Sequence, residues 1–376
     1  MKILYSCLSK SWGGMEMFTL QAVSQLLKRN VETELLCFPE SRIHTEALKL
    51  GFKVHTIKAS GYFHPLEILK LKKILSKGSF DLVHTQASKD LWVIVPALKL
   101  ALSKIPLLMT KQVGSFIIKK DKLHQWIYNR VTLALAISRV IKKNLVDTCP
   151  LPESKIELLH NWVDTKKFNP DVVNKNKVRD EFSIAKNEIV IGMLARFSWG
   201  KGHEEFLFAA KELSGKYPNL KFMIVGEPSR GEDEYAGKIK NLTAEYGIED
   251  KIIFTGFRKD TPEVLASMDI FAFPSHSEAF GIALAEALSM GIPSVCSDSD
   301  GVLDIAVNGV TSYLFQKQNG KDMADKLEML IQSPETRKKF GEASRKRAVE
   351  NFDVEILTDK VIDIYNRLLN NETRKW

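Results

Sequence analysis

Short apolar runs rich in β-branched residues alternate with longer stretches of helical periodicity along the whole chain, and few architectures accept that rhythm. In the first half, strands are expected at 2–6, 34–38, 53–57, 82–85, 107–110, 134–138 and 156–160. In the second half they are expected at 189–194, 221–225, 251–255, 270–273 and 294–297, with amphipathic stretches such as 204–217 and 238–246 between them. A β/α alternation of this kind predicts parallel sheets covered by helices on both faces.

At 376 residues the chain is longer than one core usually supports, so two domains are expected. The apolar periodicity lapses in "HNWVDTKKFNPDVVNKNK", where Asn, Asp and Lys accumulate as in a linker. This predicts an N-terminal domain over 1–168 and a second over 169–352. Residues 353–376 are expected to form a terminal helix, with helical spacing in Val354, Ile356, Leu357, Val361, Ile364 and Leu368, that packs back on the first domain.

The four cysteines, Cys7, Cys37, Cys149 and Cys296, form no C-x-x-C pair and suggest neither a disulfide framework nor a zinc site. A reducing cytoplasm fits them. "MKILYSCLS" is too short an apolar run for a signal peptide and reads as a first strand. The longest apolar neighbourhood, 91–102, is interrupted by Pro96 and Lys99, so no membrane span is expected.

Charge is uneven. Residues 1–168 carry 26 Lys and Arg against 13 Asp and Glu, whereas residues 169–376 carry 28 against 33. Either the two halves face different partners or one half faces an anionic one.

Ligands of open α/β sheets bind beyond the carboxyl ends of the strands, and several polar residues fall there. Gly13 and Gly14 follow the first strand where a helix begins, and allow either a close backbone approach to a ligand or an ordinary turn. In "ARFSWGKG", Arg196 and Lys201 share one strand-end loop, a forked cation and a point cation that suit two neighbouring phosphates. In "PSHSEAFGIALAEALSMGIPSV", Glu278 precedes a helix expected near Gly281, and Glu286 lies about 12 Å further along it. Both carboxylates sit in apolar surroundings, where an acid needs a partner. Hydroxyls of a sugar and of a ribose would serve, with Phe280 and Gly281 offering backbone N–H groups to phosphate. His84 either lines the cleft or is a satisfied strand-end histidine; its position at the end of a strand favours the cleft. Dinucleotide, P-loop and zinc-protease patterns are missing, and Asp298, Asp300 and Asp304 lack the spacing of a calcium loop.

Taken together, Gly13-Gly14, "HNWVDTKKF", "ARFSWGKG", "MIVGEP", "IIFTGF" and the two glutamates eight residues apart resemble the retaining GT-B glycosyltransferases of glycosyltransferase family 4. The resemblance spans nearly the whole chain. It implies two Rossmann-like doubly wound domains facing each other across a cleft, with a C-terminal crossover helix. By the same resemblance, Arg196 and Lys201 bind a donor diphosphate, Glu278 touches the transferred sugar, and Glu286 holds the ribose. Gly226, Phe257 and Arg258 would lie around the nucleoside, and Ala279 belongs to the same donor loop. Such enzymes keep the anomeric configuration and need no metal or other cofactor. One position departs from the pattern: Gln112 stands where many members carry a cleft histidine, which shifts weight to Lys111 and His84 on the acceptor side.

The expected activity is transfer of a sugar from a nucleotide diphosphate sugar, with UDP as the nucleotide, to a lipid-linked or oligosaccharide acceptor of cell-envelope polysaccharide or lipopolysaccharide. An epimerase-like enzyme of the same fold and a non-enzymatic nucleotide-sugar binder are the alternatives. No nucleic-acid motif accompanies the basic half. Lys70, Lys72, Lys73, Lys119, Lys120 and Lys122, interleaved with Phe63, Ile68, Leu69, Ile117, Ile118 and Trp126, suit an anionic membrane surface. A cytoplasmic enzyme, peripheral on the inner face of the membrane, is therefore expected.

Overall fold

In the computed structural model, which describes residues 1–59, 61–228 and 231–370, the alternation closes into two separate parallel sheets. The first holds β1 Lys2–Cys7, β2 Glu32–Cys37, β3 Val54–Thr56, β4 Leu82–Thr85, β5 Leu107–Lys111, β6 Leu133–Ala136 and β7 Ile156–Leu158, in the order β3-β2-β1-β4-β5-β6-β7. The second holds β8 Ile189–Leu194, β9 Leu220–Val225, β10 Ile252–Gly256, β11 Ile270–Phe273, β12 Ser294–Ser297 and β13 Ser312–Phe315, in the order β10-β9-β8-β11-β12-β13. Parallel neighbours need long crossovers, and helices supply them. The helix Gly14–Lys28, for example, turns Phe18, Ala22, Val23 and Leu26 into the core.

Twelve of these strands match the sequence reading to within a few residues. The thirteenth, β13, escapes it because a four-residue edge strand with two half-buried members carries almost no period of its own. Its extended form is selected by pairing with β12.

The chain divides into two compact units, Met1–His160 together with the chain from Glu355 on, and Asn161–Val354. Each is Rossmann-like, and each sheet reverses its strand order once, between β1 and β4 and between β8 and β11. Outside such reversals a crevice opens at the carboxyl ends of the strands.

The segment with linker composition is packed. Trp162, Val163 and Phe168 are buried in the second unit, and the Arg345 guanidinium donates to the carbonyls of Thr165 and Phe168 at 3.0 and 2.8 Å. The helix Val354–Leu369 buries Leu357, Val361, Tyr365 and Leu368. Within the first unit, Asp359 of this helix accepts from Arg29 at 2.7 Å, and Arg367 donates to Glu157 at 2.6 Å. Residues 371–376, included in the expected terminal helix, lie outside the described residues.

One buried charge pins the open edge of the first sheet. Glu34 on β2 is 2% exposed, and its carboxylate meets Lys2 at 2.9 Å, Lys53 at 2.6 Å and His55 at 2.5 Å. Burial pushes its pKa up, but the bonds from Lys53, His55 and Lys2 outweigh burial and bring it down to about 2. A depressed acid stabilises the fold above its ordinary pKa and loses that contribution as pH falls through the folded value. Glu34→Gln is therefore expected to be less stable than wild type at pH 6. The gap should shrink as pH falls from 4.5 towards 2, as read by urea melts across that window.

Candidate active site

Backbone contacts that only glycine permits hold the strand-end loops of the second unit together. Gly202, at φ +79°, would place a Cβ 2.3 Å from the carbonyl oxygen of Pro274, just past β11. Gly226, at φ +145° after β9, would place one 2.0 Å from the carbonyl of Ala195, just past β8. The amide of His276 donates to Gly200 O at 2.8 Å. These approaches draw the loops after β8, β9 and β11 to one place.

Lys201 and Glu278, 77 residues apart, meet there at 2.8 Å with both side chains mostly buried. Arg196, two residues past the end of β8, is exposed on the same loop. Beyond Glu278, Ala279 and Phe280 run into the helix Ile282–Ser289, whose N-cap is Gly281 at φ +103°. The Phe280 ring packs edge-on against Phe352 at 5.7 Å. Gly301 would place a Cβ 2.4 Å from the carbonyl of Ala279, and its amide donates to Glu278 O at 2.9 Å.

Glu286 lies on that helix between buried Ala285 and Ala287. Its carboxylate has no hydrogen-bond partner among the described residues, and burial pushes its pKa up to about 7 with Lys167 opposing. It is not a solvated surface acid. Phe257 is half-exposed after β10. Arg258 follows it, with Glu181 on its guanidinium at 2.5 and 2.8 Å and Asp260 at 2.8 and 2.9 Å. These bonds tie the helix Asn176–Glu181 to the loop after β10.

In the first unit a cleft of about 520 Å³ opens at the carboxyl ends of β1, β4 and β5. Lys111 and Gln112 line it, as does Gln86, which sequence reasoning missed. Gln112 donates to Gln86 at 2.7 Å, and Gln86 donates to the Tyr5 hydroxyl. His84 corrects the sequence reading, because it does not line the cleft. Its Nδ1 meets the Tyr365 hydroxyl at 2.6 Å and its Nε2 meets Thr110 at 2.7 Å, and burial lowers its pKa to about 3. A neutral imidazole offers one donor and one acceptor, and both are used. Gly13 caps the helix Gly14–Lys28 in extended backbone, where a Cβ would meet nothing closer than 3.6 Å, so the backbone does not demand glycine.

Asp90 was also missed. Its Oδ2 accepts from the Ser6 and Thr85 hydroxyls at 3.0 Å and from the Leu8 amide at 3.2 Å, which locks the loops after β1 and β4 together. Burial pushes its pKa up to about 6. Its only trace in the sequence is a polar residue at the mouth of an apolar helix.

Residues 174–347 match the family described as Glycosyl transferases group 1, and residues 12–167 match Glycosyltransferase Family 4. The chain belongs to glycosyltransferase family 4. A similar curated relative is the N,N'-diacetylbacillosaminyl-diphospho-undecaprenol alpha-1,3-N-acetylgalactosaminyltransferase of Campylobacter jejuni, 25% identical over 93% of this chain and 95% of that one. The capsular polysaccharide biosynthesis glycosyltransferase CapM of Staphylococcus aureus is 27% identical over 64% of this chain and 63% of its own length. The fold matches the crystal structure of Anabaena Alr3699/HepE in complex with UDP, with a TM-score of 0.87, 20% identity and coverage of 97% of this chain and 100% of that one. This glycosyltransferase has, among its described residues, no helix long and apolar enough to cross a membrane.

The crowding at Gly202 gives a direct test of the loop packing. Gly202→Ala should lower stability by about 2 kcal/mol or more, from left-handed strain and collision with Pro274. Gly215→Ala, at a position with nothing within 4 Å and no left-handed φ, should leave it nearly unchanged. Chemical denaturation of the two variants side by side measures the difference.

Proposed function

We propose that this glycosyltransferase moves a sugar, with retention, from a nucleotide diphosphate sugar to a lipid-linked or oligosaccharide acceptor of a cell-envelope polysaccharide or lipopolysaccharide. The observation that carries the reading is the Lys201–Glu278 pair at the strand-end loops after β8 and β11, followed on the next helix by the unpartnered carboxylate of Glu286. UDP is the proposed nucleotide, in keeping with the Anabaena structure of the same fold. The acceptor class follows the printed activity of the Campylobacter relative.

In this reading Arg196 and Lys201 hold the diphosphate. The Lys201 ammonium has three donors, so it can keep Glu278 while reaching a phosphate oxygen. Glu278 accepts bonds from hydroxyls of the transferred sugar and Glu286 from those of the ribose, which would compensate its desolvation. The acceptor hydroxyl oxygen bonds to the anomeric carbon from the face the diphosphate leaves. As the bond from that carbon to the phosphate oxygen breaks, the hydroxyl proton passes to the departing phosphate. Charge therefore grows on the diphosphate, where two cations and the N–H groups around Phe280 and Gly281 stabilise it most in the transition state. Because these groups supply the positive charge, no metal is needed.

Release of nucleoside diphosphate over a panel of nucleotide sugars, with lipid extract as acceptor source, tests the activity, and NMR of the product tests retention. Glu278→Gln and Lys201→Ala should each cut turnover by about 10²–10³ with the fold intact by circular dichroism. Activity should persist in EDTA. Near-wild-type turnover in both variants would sink the site, and a strict requirement for Mg²⁺ or Mn²⁺ would show that the acids hold a cation.

The first unit supports a membrane-bound acceptor. Phe63, Leu69, Ile117 and Ile118 are more than half exposed, and Trp126 is 41% exposed with Lys99 over its ring at 4.5 Å. Lys70, Lys73, Lys120 and Lys122 are exposed among them. Each basic residue near an anionic surface contributes about 1 kcal/mol. The protein should sediment with anionic vesicles at low salt, much less with neutral ones, and weakly once these four lysines are changed to Glu. Indifference to anionic vesicles at low salt would favour a soluble acceptor and a protein away from the membrane.

A further inference from the structure

The cleft of the first unit gathers four cations, and none of them is paired with an acid among the described residues. Lys111, at the end of β5, is 4% exposed; its Nζ donates to Ser88 Oγ at 3.3 Å, and no carboxylate pairs with it among the described residues. Lys10, Lys89 and Lys119 line the same space, and none of them has an ion pair among the described residues. The one carboxylate in the lining, Asp90, already accepts three bonds at the base of the loops after β1 and β4. Burial, reinforced by the Lys119 charge, lowers Lys111 to about 8. An ammonium left in this condition is stabilised by an anion arriving from outside.

The rest of the lining is not anion-seeking. Tyr62 stands edge-on to Trp92 at 5.1 Å and Trp92 edge-on to His124 at 5.2 Å, which makes an aromatic wall. The Gln86 and Gln112 amides lie in the same lining. Rings and amides are the surfaces on which a saccharide is held by its C–H faces and hydroxyls.

We propose that this cleft recognises the acceptor through a phosphate or diphosphate ester, seated against Lys111 and Lys119 with Lys10 and Lys89 nearby, and with its sugar on the wall formed by Tyr62 and Trp92. The inference rests on reading the first unit as the acceptor lobe, and it restricts acceptors to phosphate-bearing saccharides. A lipid-linked diphosphate and a soluble sugar phosphate share this chemistry.

Binding without donor separates the inference from the transfer reaction. In Arg196→Ala/Lys201→Ala protein, where the cations proposed for the donor are gone, calorimetry should still detect inorganic pyrophosphate. Adding Lys119→Met, a half-exposed position, should weaken that binding at least tenfold with the melting temperature unchanged. Lys111→Met should do the same, and Lys111→Arg should restore part of it. Geranyl diphosphate binding more than tenfold tighter than pyrophosphate assigns a lipid-linked source, and equal affinity assigns a soluble phosphate. No pyrophosphate binding in the double variant, or binding indifferent to Lys119→Met in folded protein, overturns the proposal. If the transfer assay fails while this binding holds, the donor reading is at fault and the anion cleft stands.

Discussion

Parallel pairing throughout both sheets sends the carboxyl ends of a unit's strands to one edge, and every other feature of the molecule is arranged around that constraint. Strand interiors buried on both faces are mainly apolar, so Ile3, Leu4, Leu108, Ile191 and Phe271 are fully enclosed, and the polar exceptions Glu34 and His84 are bonded to neighbours. Most other polar groups of the site lie in the loops just beyond. At the reversal of strand order the two flanking loops leave in opposite directions, and room for a ligand opens between them. The Lys201–Glu278 pair occupies that position in one unit and the lysine-lined cleft in the other.

The two units keep these edges in shape by different means. In the second, backbone is pressed on backbone, Gly202 on Pro274 and Gly226 on Ala195, so geometry is held by close packing that a single methyl group would break. In the first, buried side chains do the holding. Asp90 bridges the loops after β1 and β4, and the Thr110–His84–Tyr365 line ties the terminal helix to the sheet. Each bond of this sort contributes about 1 kcal/mol, but leaving its partner buried and unsatisfied would cost more.

Charge follows the same division. In the acidic second unit several cations are paired: Lys201 with Glu278, Arg258 with Glu181 and Asp260, and Arg179 with Asp269. The basic first unit leaves several lysines without acids, both in its cleft and among the exposed apolar side chains. An excess of positive charge on an otherwise stable fold is tolerated where an anion compensates it in use. The imbalance visible in composition thus becomes a property of particular places.

The sequence by itself determined the strands, because fully buried parallel strands and amphipathic helices leave periods that are local and readable at positions such as 189–194 and 270–273. It also determined that Glu278 and Glu286 needed partners, since acids among Ala and Leu are conspicuous, and that Arg196 and Lys201 share one strand-end loop. Only the tertiary structure decided which partner each polar group takes. His84 and Gln86 are two residues apart on one strand end, yet one is sealed against Tyr365 and the other lines a cleft. Arg258 is gripped by Glu181, 77 residues away in sequence. Strand β13 and the packed segment around Trp162 and Phe168 likewise owe their form to neighbours distant in sequence. Periodicity is a property of a few consecutive residues, whereas hydrogen bonds and ion pairs join groups that only the closed fold makes adjacent.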